Sequence, residues 1–153
     1  MADTFVHLHN HTEYSLLDGA VHIKDLIAEC SRMGMPAVAV TDHGNLFGAI
    51  ALVMETNSLN KSAEAWNKEH PEGPWKQPVK PIFGCEVCLS PTPIGVKKQL
   101  PGRRKYTHLL LLAENETGCQ TLVQLVSRSP LEGFYSKPRV DMESLRDFHE
   151  GLF

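Results

Sequence analysis

The chain has 153 residues, with 15 Lys and Arg against 18 Asp and Glu, so its formal net charge is −3. That length suits one compact domain, and the slightly acidic balance gives no general attraction to a nucleic-acid backbone or an anionic membrane. No basic segment followed by an apolar run opens the chain, and no apolar stretch could cross a bilayer. The sequence therefore predicts a soluble, cytoplasmic protein with no membrane partner.

The first half of the chain predicts strands alternating with helices. Residues 5–8 form a short strand candidate, and apolar residues then recur at helical spacing from Ile23 until Gly34, which is typical of a helix end. Residues 37–41 are a uniformly apolar run of the kind buried on both faces, and residues 47–57 again suit a helix. Two strand–helix units result.

The alternation continues in the second half. Residues 81–89 and 106–113 are strand candidates, and a helix is expected after Asn115. Asp141 can cap a short helix that ends at Gly151, and the last two residues resemble the start of a further strand. This order predicts an α/β fold with a mostly parallel sheet or barrel, whose reactive groups lie at the C-terminal ends of strands.

Two segments interrupt the pattern. Residues 58–79 are polar and proline-rich, and are expected to extend the second helix before an irregular connection. Residues 91–105 form a loop rich in Pro, Gly and the basic residues Lys97, Lys98, Arg103, Arg104 and Lys105. Both read as insertions within one domain, residues 1–153, rather than as domain boundaries.

The four cysteines predict no disulfide framework, because they are few and scattered in a chain of this length. Cys85 and Cys88 are three residues apart in a strand, where such residues face opposite sides, and no second pair of this kind exists. We therefore interpret them as structural, reduced thiols rather than as half of a zinc knuckle.

Histidines and carboxylates provide the functional signal. His9 and His11 follow the first strand two residues apart, so extended backbone places both on one side, and Asp18 comes seven residues later. His43 follows the second strand directly after Asp42. Glu86 lies near the end of the third strand, and His108 lies just inside the fourth. A mixed imidazole and carboxylate set of this kind is typical of a metal site.

The chain resembles the PHP (polymerase and histidinol phosphatase) family, and within it the branch that opens bacterial DNA polymerase III α subunits. The resemblance lies in five blocks, which occur in the family's order and cover most of the chain: FVHLHNHTEYSLLDG, GMPAVAVTDHGNLFGA, KPIFGCEV, YTHLLLLAENETG and GFYSKPRVD.

The resemblance implies a distorted seven-stranded βα barrel, similar to a TIM barrel, with up to three zinc or manganese ions. It assigns six of nine metal ligands, which would act in catalysis through the bound ions: His9, His11, Asp18, His43, Glu86 and His108. The other three are expected after Gly151, so the chain is expected to be an incomplete PHP domain whose C-terminal strands are missing.

The resemblance also implies a function. The parent subunit would be a DNA-directed DNA polymerase of the replicase, and the PHP part a metal-dependent phosphoesterase acting as a 3′→5′ proofreading exonuclease. Expected partners are DNA and, through the full-length protein, an exonuclease subunit and the sliding clamp. Two alternatives stay open: a free-standing phosphoesterase acting on a small phosphate ester, and a non-catalytic scaffold that binds a separate exonuclease.

Overall fold

A computed structural model of the protein describes residues 5–99, 101–102 and 104–153. The chain divides into two compact units. The first contains the described residues up to Val40 together with Phe47–Ile82, and the second contains Thr41–Leu46 together with Phe83–Phe153. None of the described helices is both long enough and apolar enough to span a membrane.

The first unit packs two helices and a buried strand. Helix α1 is Ile23–Arg32, strand β1 is Ala37–Val40, and helix α2 is Ala49–Glu69. Helix α1 packs against both α2 and β1, and its buried residues recur at helical spacing. After α1 the chain turns at Gly34, whose φ of +74° is the left-handed conformation that glycine adopts without strain.

The polar insertion consists of the second half of helix α2 followed by an irregular segment that returns along it. Helix α2 continues through residue 69, which confirms the predicted helical extension. The returning chain is then tied to α2 by two asparagine side chains, each of which donates to and accepts from one backbone position. Asn60 pairs with Val79 at 2.9 and 2.8 Å, and Asn67 pairs with Lys76 at 2.9 Å in both directions. The insertion is therefore an ordered part of the first unit.

The second unit is a small sheet covered by a helix. Strand β2 is Lys80–Leu89 and begins in the first unit, where the Lys80 amide donates to the Pro36 carbonyl at 2.8 Å. In the second unit β2 pairs with β3 and with β4, while helices α3 and α4 follow β3 and β4. The bounds of these elements are Thr107–Leu112 for β3, Glu116–Glu132 for α3, Arg139–Val140 for β4 and Met142–Asp147 for α4.

Both predicted helix caps are confirmed. The side chain of Asn115 accepts a hydrogen bond from the Gly118 amide, and that of Asp141 accepts one from the Ser144 amide. These bonds satisfy amides in the first turn that have no partner within the helix. The apolar face of α3 then packs on the sheet, and the buried cluster consists of Cys85, Val87, Leu111, Leu122, Leu125, Val126 and Val140.

The structure confirms the α/β class and corrects three details of the sequence interpretation. The short helix predicted to end at Gly151 ends at Asp147. The sheet is mixed, because β3 runs antiparallel to β2 whereas β4 runs parallel to it. Residues 5–8 form no strand; His7 makes a single parallel bridge to Val38. At the end of the chain, Leu112 and Phe153 exchange two backbone hydrogen bonds of 2.8 and 2.9 Å, as the predicted strand start requires.

Candidate metal centre

In the first unit, backbone bonds align the histidine-rich segment with β1. The Ala39 amide donates to the His7 carbonyl at 2.9 Å, and the side-chain amide of Asn10 donates to the Ala39 carbonyl at 2.9 Å. Asn10 lies between the two predicted ligands His9 and His11. The Asn10 side chain therefore ties the segment that carries both histidines to strand β1.

The imidazoles of His9 and His11 face one another as the spacing predicts. Their Nε2 atoms are 2.9 Å apart, and their ring centroids are 5.0 Å apart. Two nitrogens bound to one ion through bonds of about 2.05 Å would be separated by about 2.9 Å at a right angle and by about 3.3 Å at the tetrahedral angle typical of zinc. The pair fits one divalent cation.

Asp18 lies on the other side of the His11 ring. One of its carboxylate oxygens is 3.6 Å from His11 Nδ1, and the Ser15 hydroxyl lies 3.3 Å from that same nitrogen. A carboxylate or hydroxyl at the second nitrogen fixes the tautomer and orientation of a ligating histidine. Asp18 thus contacts His11 at the nitrogen turned away from His9, and its assignment as a direct ligand stays a prediction.

The turn that carries Asp18 depends on Gly19. A Cβ atom at this position would lie 2.0 Å from the Thr12 carbonyl oxygen, so no other residue fits without moving the backbone. The amides of Asp18 and Gly19 both donate to the Ser15 carbonyl, at 3.0 and 2.9 Å. The loop is closed by its own backbone, which holds the Asp18 side chain beside His11.

In the second unit, a backbone bridge places His43 beside Glu86. The Glu86 amide donates to the Asp42 carbonyl at 3.1 Å, and the Gly44 amide donates to the Glu86 carbonyl at 3.0 Å. Gly44 has a φ of +61°, which allows the chain to turn immediately after His43. The Asp-His-Gly sequence is therefore a strand end whose imidazole sits next to the carboxylate of β2.

Strand alternation brings His108 to the same place. Cys85 and Val87 point toward α3 in the apolar cluster, so the intervening Glu86 points to the opposite face. In the antiparallel register Cys88 is opposite His108, which puts His108 on the Glu86 face as well. Glu86 and His108 therefore lie on the face of the sheet opposite α3.

These three side chains form one cluster. His43 Nδ1 is 3.2 Å from Glu86 Oε1, and His108 Nδ1 is in close contact with the same oxygen. One ligand atom from each residue can be chosen so that all three lie within 4.8 Å of one another. Glu86 is only 5% exposed, and a buried carboxylate is stable only when it is paired or bound to a cation.

The six predicted ligands divide between the two units, and His43, Glu86 and His108 are close enough together to hold one metal ion. His9, His11 and Asp18 belong to the first unit; His43, Glu86 and His108 belong to the second. Nitrogen and carboxylate donors together suit zinc, manganese and similar divalent ions. The convergence of all six at one centre stays a prediction.

The prediction of reduced cysteines agrees with the structure. All four are free thiols, and the Cys85 thiol is 3.4 Å from the Asp42 carbonyl, to which it donates. Burial raises the pKa of Cys85 to about 12, and burial also raises the pKa of Cys88. That Cys85 and Cys88 are structural residues rather than zinc ligands stays a prediction.

The basic loop is exposed where the structure describes it. Lys97, Lys98, Arg104 and Lys105 are all exposed, whereas Arg103 lies outside the described residues. A cavity of ≈ 340 Å³ near the end of this loop includes Arg104 and Tyr106 in its lining but none of the six predicted ligands. The cavity is therefore distinct from the histidine–carboxylate cluster.

Sequence reasoning missed the residues that support the ligands. Ser15 would have been found only by asking which polar neighbours of a histidine could reach its second nitrogen, and Asn10 only by knowing that Ala39 lies beside it. Tyr106 stacks on His108, with ring centroids 5.7 Å apart and planes 23° apart. Its position two residues before His108, immediately ahead of β3, is the signal, because alternate residues of an extended chain lie on one face.

Comparisons with known proteins agree with the resemblance. A family model described as "PHP domain" matches residues 7–153. Curated relatives named "DNA polymerase III subunit alpha" include those of Borreliella burgdorferi, 42% identical over 97% of this chain, and Thermus aquaticus, 41% identical over 97%. A relative of the same name from Mycobacterium tuberculosis is 40% identical over 97% of this chain. The chain spans 11–12% of the length of these relatives.

Among solved structures, a crystal structure from Bifidobacterium adolescentis, named as a candidate metal-dependent phosphoesterase, is similar at a TM-score of 0.44 and 16% identity. The match covers 82% of this chain and 33% of that one. This similarity is too low to establish a common fold.

Proposed function

Because this chain belongs to the PHP domain family, we propose that it forms part of the metal-dependent phosphoesterase site of a bacterial DNA polymerase III α subunit. In this proposal the site removes nucleotides from the 3′ end of DNA, and the rest of the subunit carries the polymerase. The relatives named above supply the polymerase context. The histidine and carboxylate residues of the site are the reason for expecting metal-dependent hydrolysis.

The observation that carries the proposal is the cluster of His43, Glu86 and His108. Two imidazole nitrogens approach one oxygen of a carboxylate that is almost fully buried. The apolar packing of the unit does not require them, because it lies on the opposite face of β2, under α3. Such a group on the free face of a sheet supports a role in binding a cation.

The same donor chemistry recurs in the first unit. His9 and His11 present two Nε2 atoms 2.9 Å apart, and Ser15 and Asp18 lie at the second nitrogen of His11. We propose that all six predicted ligands hold zinc or manganese ions, up to three in a complete domain. When bound, such ions would polarise a phosphoryl oxygen and lower the pKa of a water molecule.

The chain's own residues have defined tasks in this scheme. Glu86 supplies the negative charge that makes a cation favourable on this face, and His43 and His108 supply neutral nitrogen donors beside it. Asn10 and the Gly44 turn hold the histidines in position through the backbone. The exposed lysines of the basic loop add positive charge that attracts a DNA strand.

We further propose cytoplasmic replication as the setting, with DNA as the substrate partner. Contacts with an exonuclease subunit and the sliding clamp would be made by the full-length protein. Because the chain covers about one-ninth of its relatives' length, all these partners belong to the proposal for the whole protein.

The test measures hydrolysis of a 3′-mismatched primer by the full-length protein with manganese or zinc. His9→Ala and His43→Ala are expected to abolish the cleavage, whereas the exposed Glu114→Gln should leave it unchanged. Cleavage by both alanine variants at the original rate would contradict the assignment. Hydrolysis of a small phosphate ester alone would favour a free-standing phosphoesterase activity. No hydrolysis, with retained binding of an exonuclease subunit, would favour a scaffold.

A further inference from the structure

Lys137 and Tyr106 lie next to the histidine–carboxylate cluster but outside the predicted ligand set. The Lys137 Nζ lies 5.6 Å from the centroid of the Tyr106 ring, and that ring is stacked on His108 at 5.7 Å. Lys137 is exposed, while Tyr106 is half-buried. A lysine ammonium over an aromatic face is attracted by the ring and keeps part of its hydration.

Strand register supports this placement. In the second unit Cys88 is paired with His108 on β3 and with Arg139 on β4. Lys137 precedes Arg139 by two residues. His108 and Arg139 therefore lie in one row on either side of β2, on the sheet face that Glu86 also occupies.

The turn before β4 is held firmly. The Tyr135 amide donates to the Lys137 carbonyl at 3.1 Å, and Ser136 between them has a φ of +62°, a left-handed conformation that is strained for a non-glycine residue. Buried Arg139 donates to the Gly133 carbonyl at 2.9 Å and to the Ser90 hydroxyl at 3.2 Å, and it lies over the Tyr135 ring. A strained turn that its surroundings hold in place is common at binding sites.

The charge of Lys137 is not neutralised locally. Among the described residues, no carboxylate forms an ion pair with Lys137, and its described contact is the Tyr106 ring. An ammonium beside the ring that stacks on the predicted ligand His108 suits a second anionic group on a substrate already bound at the cluster. In nucleic acid that group is the neighbouring phosphate, since one strand of duplex DNA carries one charge per roughly 3.4 Å of axis.

We propose that Lys137, positioned by the ring of Tyr106, binds the phosphate adjacent to the one held at the histidine–carboxylate cluster. The site would then select substrates with at least two phosphates in a chain over single phosphate esters. Lys137 is the residue that contacts the substrate, and Tyr106 is a positioning residue. This inference rests on the proposed phosphoesterase function, and it adds a substrate-selecting contact to it.

The experiment compares two substrates in the full-length protein with manganese. One is a p-nitrophenyl ester of thymidine monophosphate, which has a single phosphate, and the other is a short single-stranded oligothymidylate. Lys137→Ala should raise the KM for the oligonucleotide by roughly two- to five-fold at low salt, as expected for one exposed charge contact. The KM for the single ester should not change.

The salt dependence gives a second readout. Loss of one phosphate contact should make the negative slope of log(kcat/KM) against log salt shallower by about 0.7 for a single strand. Lys137→Arg keeps the positive charge, so its slope and its KM should equal those of the unmodified protein. The matched control is Lys76→Ala, which removes a lysine lying 3.9 Å from the Trp66 ring centroid in the first unit, beside none of the predicted ligands.

Tyr106 is tested through its coupling to Lys137. Tyr106→Leu should raise the KM for the oligonucleotide, and the double variant with Lys137→Ala should be no worse than the worse single variant. Tyr106→Phe, which keeps the ring, should behave as the unmodified protein. A purely structural role for Tyr106 would instead affect both substrates and add to the Lys137 effect.

The outcomes separate the two proposals. If His43→Ala abolishes hydrolysis but Lys137→Ala changes neither the oligonucleotide KM nor the salt slope, the Lys137 proposal is overturned and the phosphoesterase function stands. If His43→Ala leaves hydrolysis unchanged, or the unmodified protein does not hydrolyse either substrate, the proposed function is wrong. The Lys137 proposal, which rests on it, is then wrong as well.

Discussion

Replacing Glu86 with glutamine should remove most of the stabilisation that a divalent metal gives this protein. The substitution keeps the size of the side chain but removes its charge, at a position that is 5% exposed and 3.2 Å from His43 Nδ1. The neutral amide is a weaker ligand for a hard or borderline cation. The effect is measured on folding rather than on catalysis, so it does not depend on an active enzyme.

The magnitude follows from binding linkage. A metal at 100 times its Kd stabilises the native state by about 2.7 kcal/mol, which corresponds to a Tm increase of roughly 5–11 °C for a domain of this size. If the glutamine weakens binding by about 100-fold, the same metal concentration equals the new Kd and stabilises by only about 0.4 kcal/mol. The Tm increase should then shrink to about 1–2 °C.

The assay is thermal unfolding with and without manganese or zinc, monitored by calorimetry or by the fluorescence of a dye that binds unfolded protein. Glu114→Gln is the control, because it is the same substitution at an exposed position of the same unit. It should keep the full metal-dependent increase. A Glu86→Gln variant with an undiminished increase would refute the view that this carboxylate holds the ion.

Three further predictions concern the fold that supports the site. Asp141→Ala should lower the free energy of unfolding in urea by about 1–3 kcal/mol, because Asp141 both caps α4 and accepts from the Ile94 amide at 2.6 Å. Burial alone would raise the pKa of Asp141, but hydrogen bonds from Ser144 and Ile94 outweigh it and hold the pKa below its usual value. Its stabilisation should therefore be complete above the unfolded pKa of about 3.9 and be lost as the pH falls through the lower folded pKa, a loss that Asp141→Asn should not show in urea titrations at several acid pH values. Cys85 should resist a thiol reagent until the protein unfolds, since burial raises its pKa to about 12, and labelling of native protein at Cys85 would contradict that environment. Leu125→Ala should cost about 2–5 kcal/mol in the same urea assay, because Leu125 is fully buried between α3 and the sheet; a change below 1 kcal/mol would argue against that packing.

Local patterns predicted most of the elements. The end of α1 at Gly34 and the side-chain caps at Asn115 and Asp141 agree with the structure, because each depends on residues within one or two turns. The facing of His9 and His11 was also predictable, since alternation in extended backbone involves only neighbouring residues.

Other features depend on partners that are distant in the chain. The antiparallel direction of β3 is one, because the long loop before Tyr106 could return the chain to the sheet in either direction. The asparagine side chains that hold the insertion are another, because the two hydrogen bonds between Asn60 and Val79 can form only when the fold brings these residues together.

The sequence by itself determined the α/β class, the presence of the helices and the two side-chain caps, and it supplied the predicted ligands, because propensity, periodicity and motif spacing are local properties of a chain. Only the tertiary structure decided that Glu86 and His108 share the sheet face opposite α3, and that Tyr106 and Lys137 stand beside them. The physical reason is that a one-residue change in strand register would turn each side chain to the other face. Register is set by pairing and packing across the whole unit, not by the residues near it in sequence.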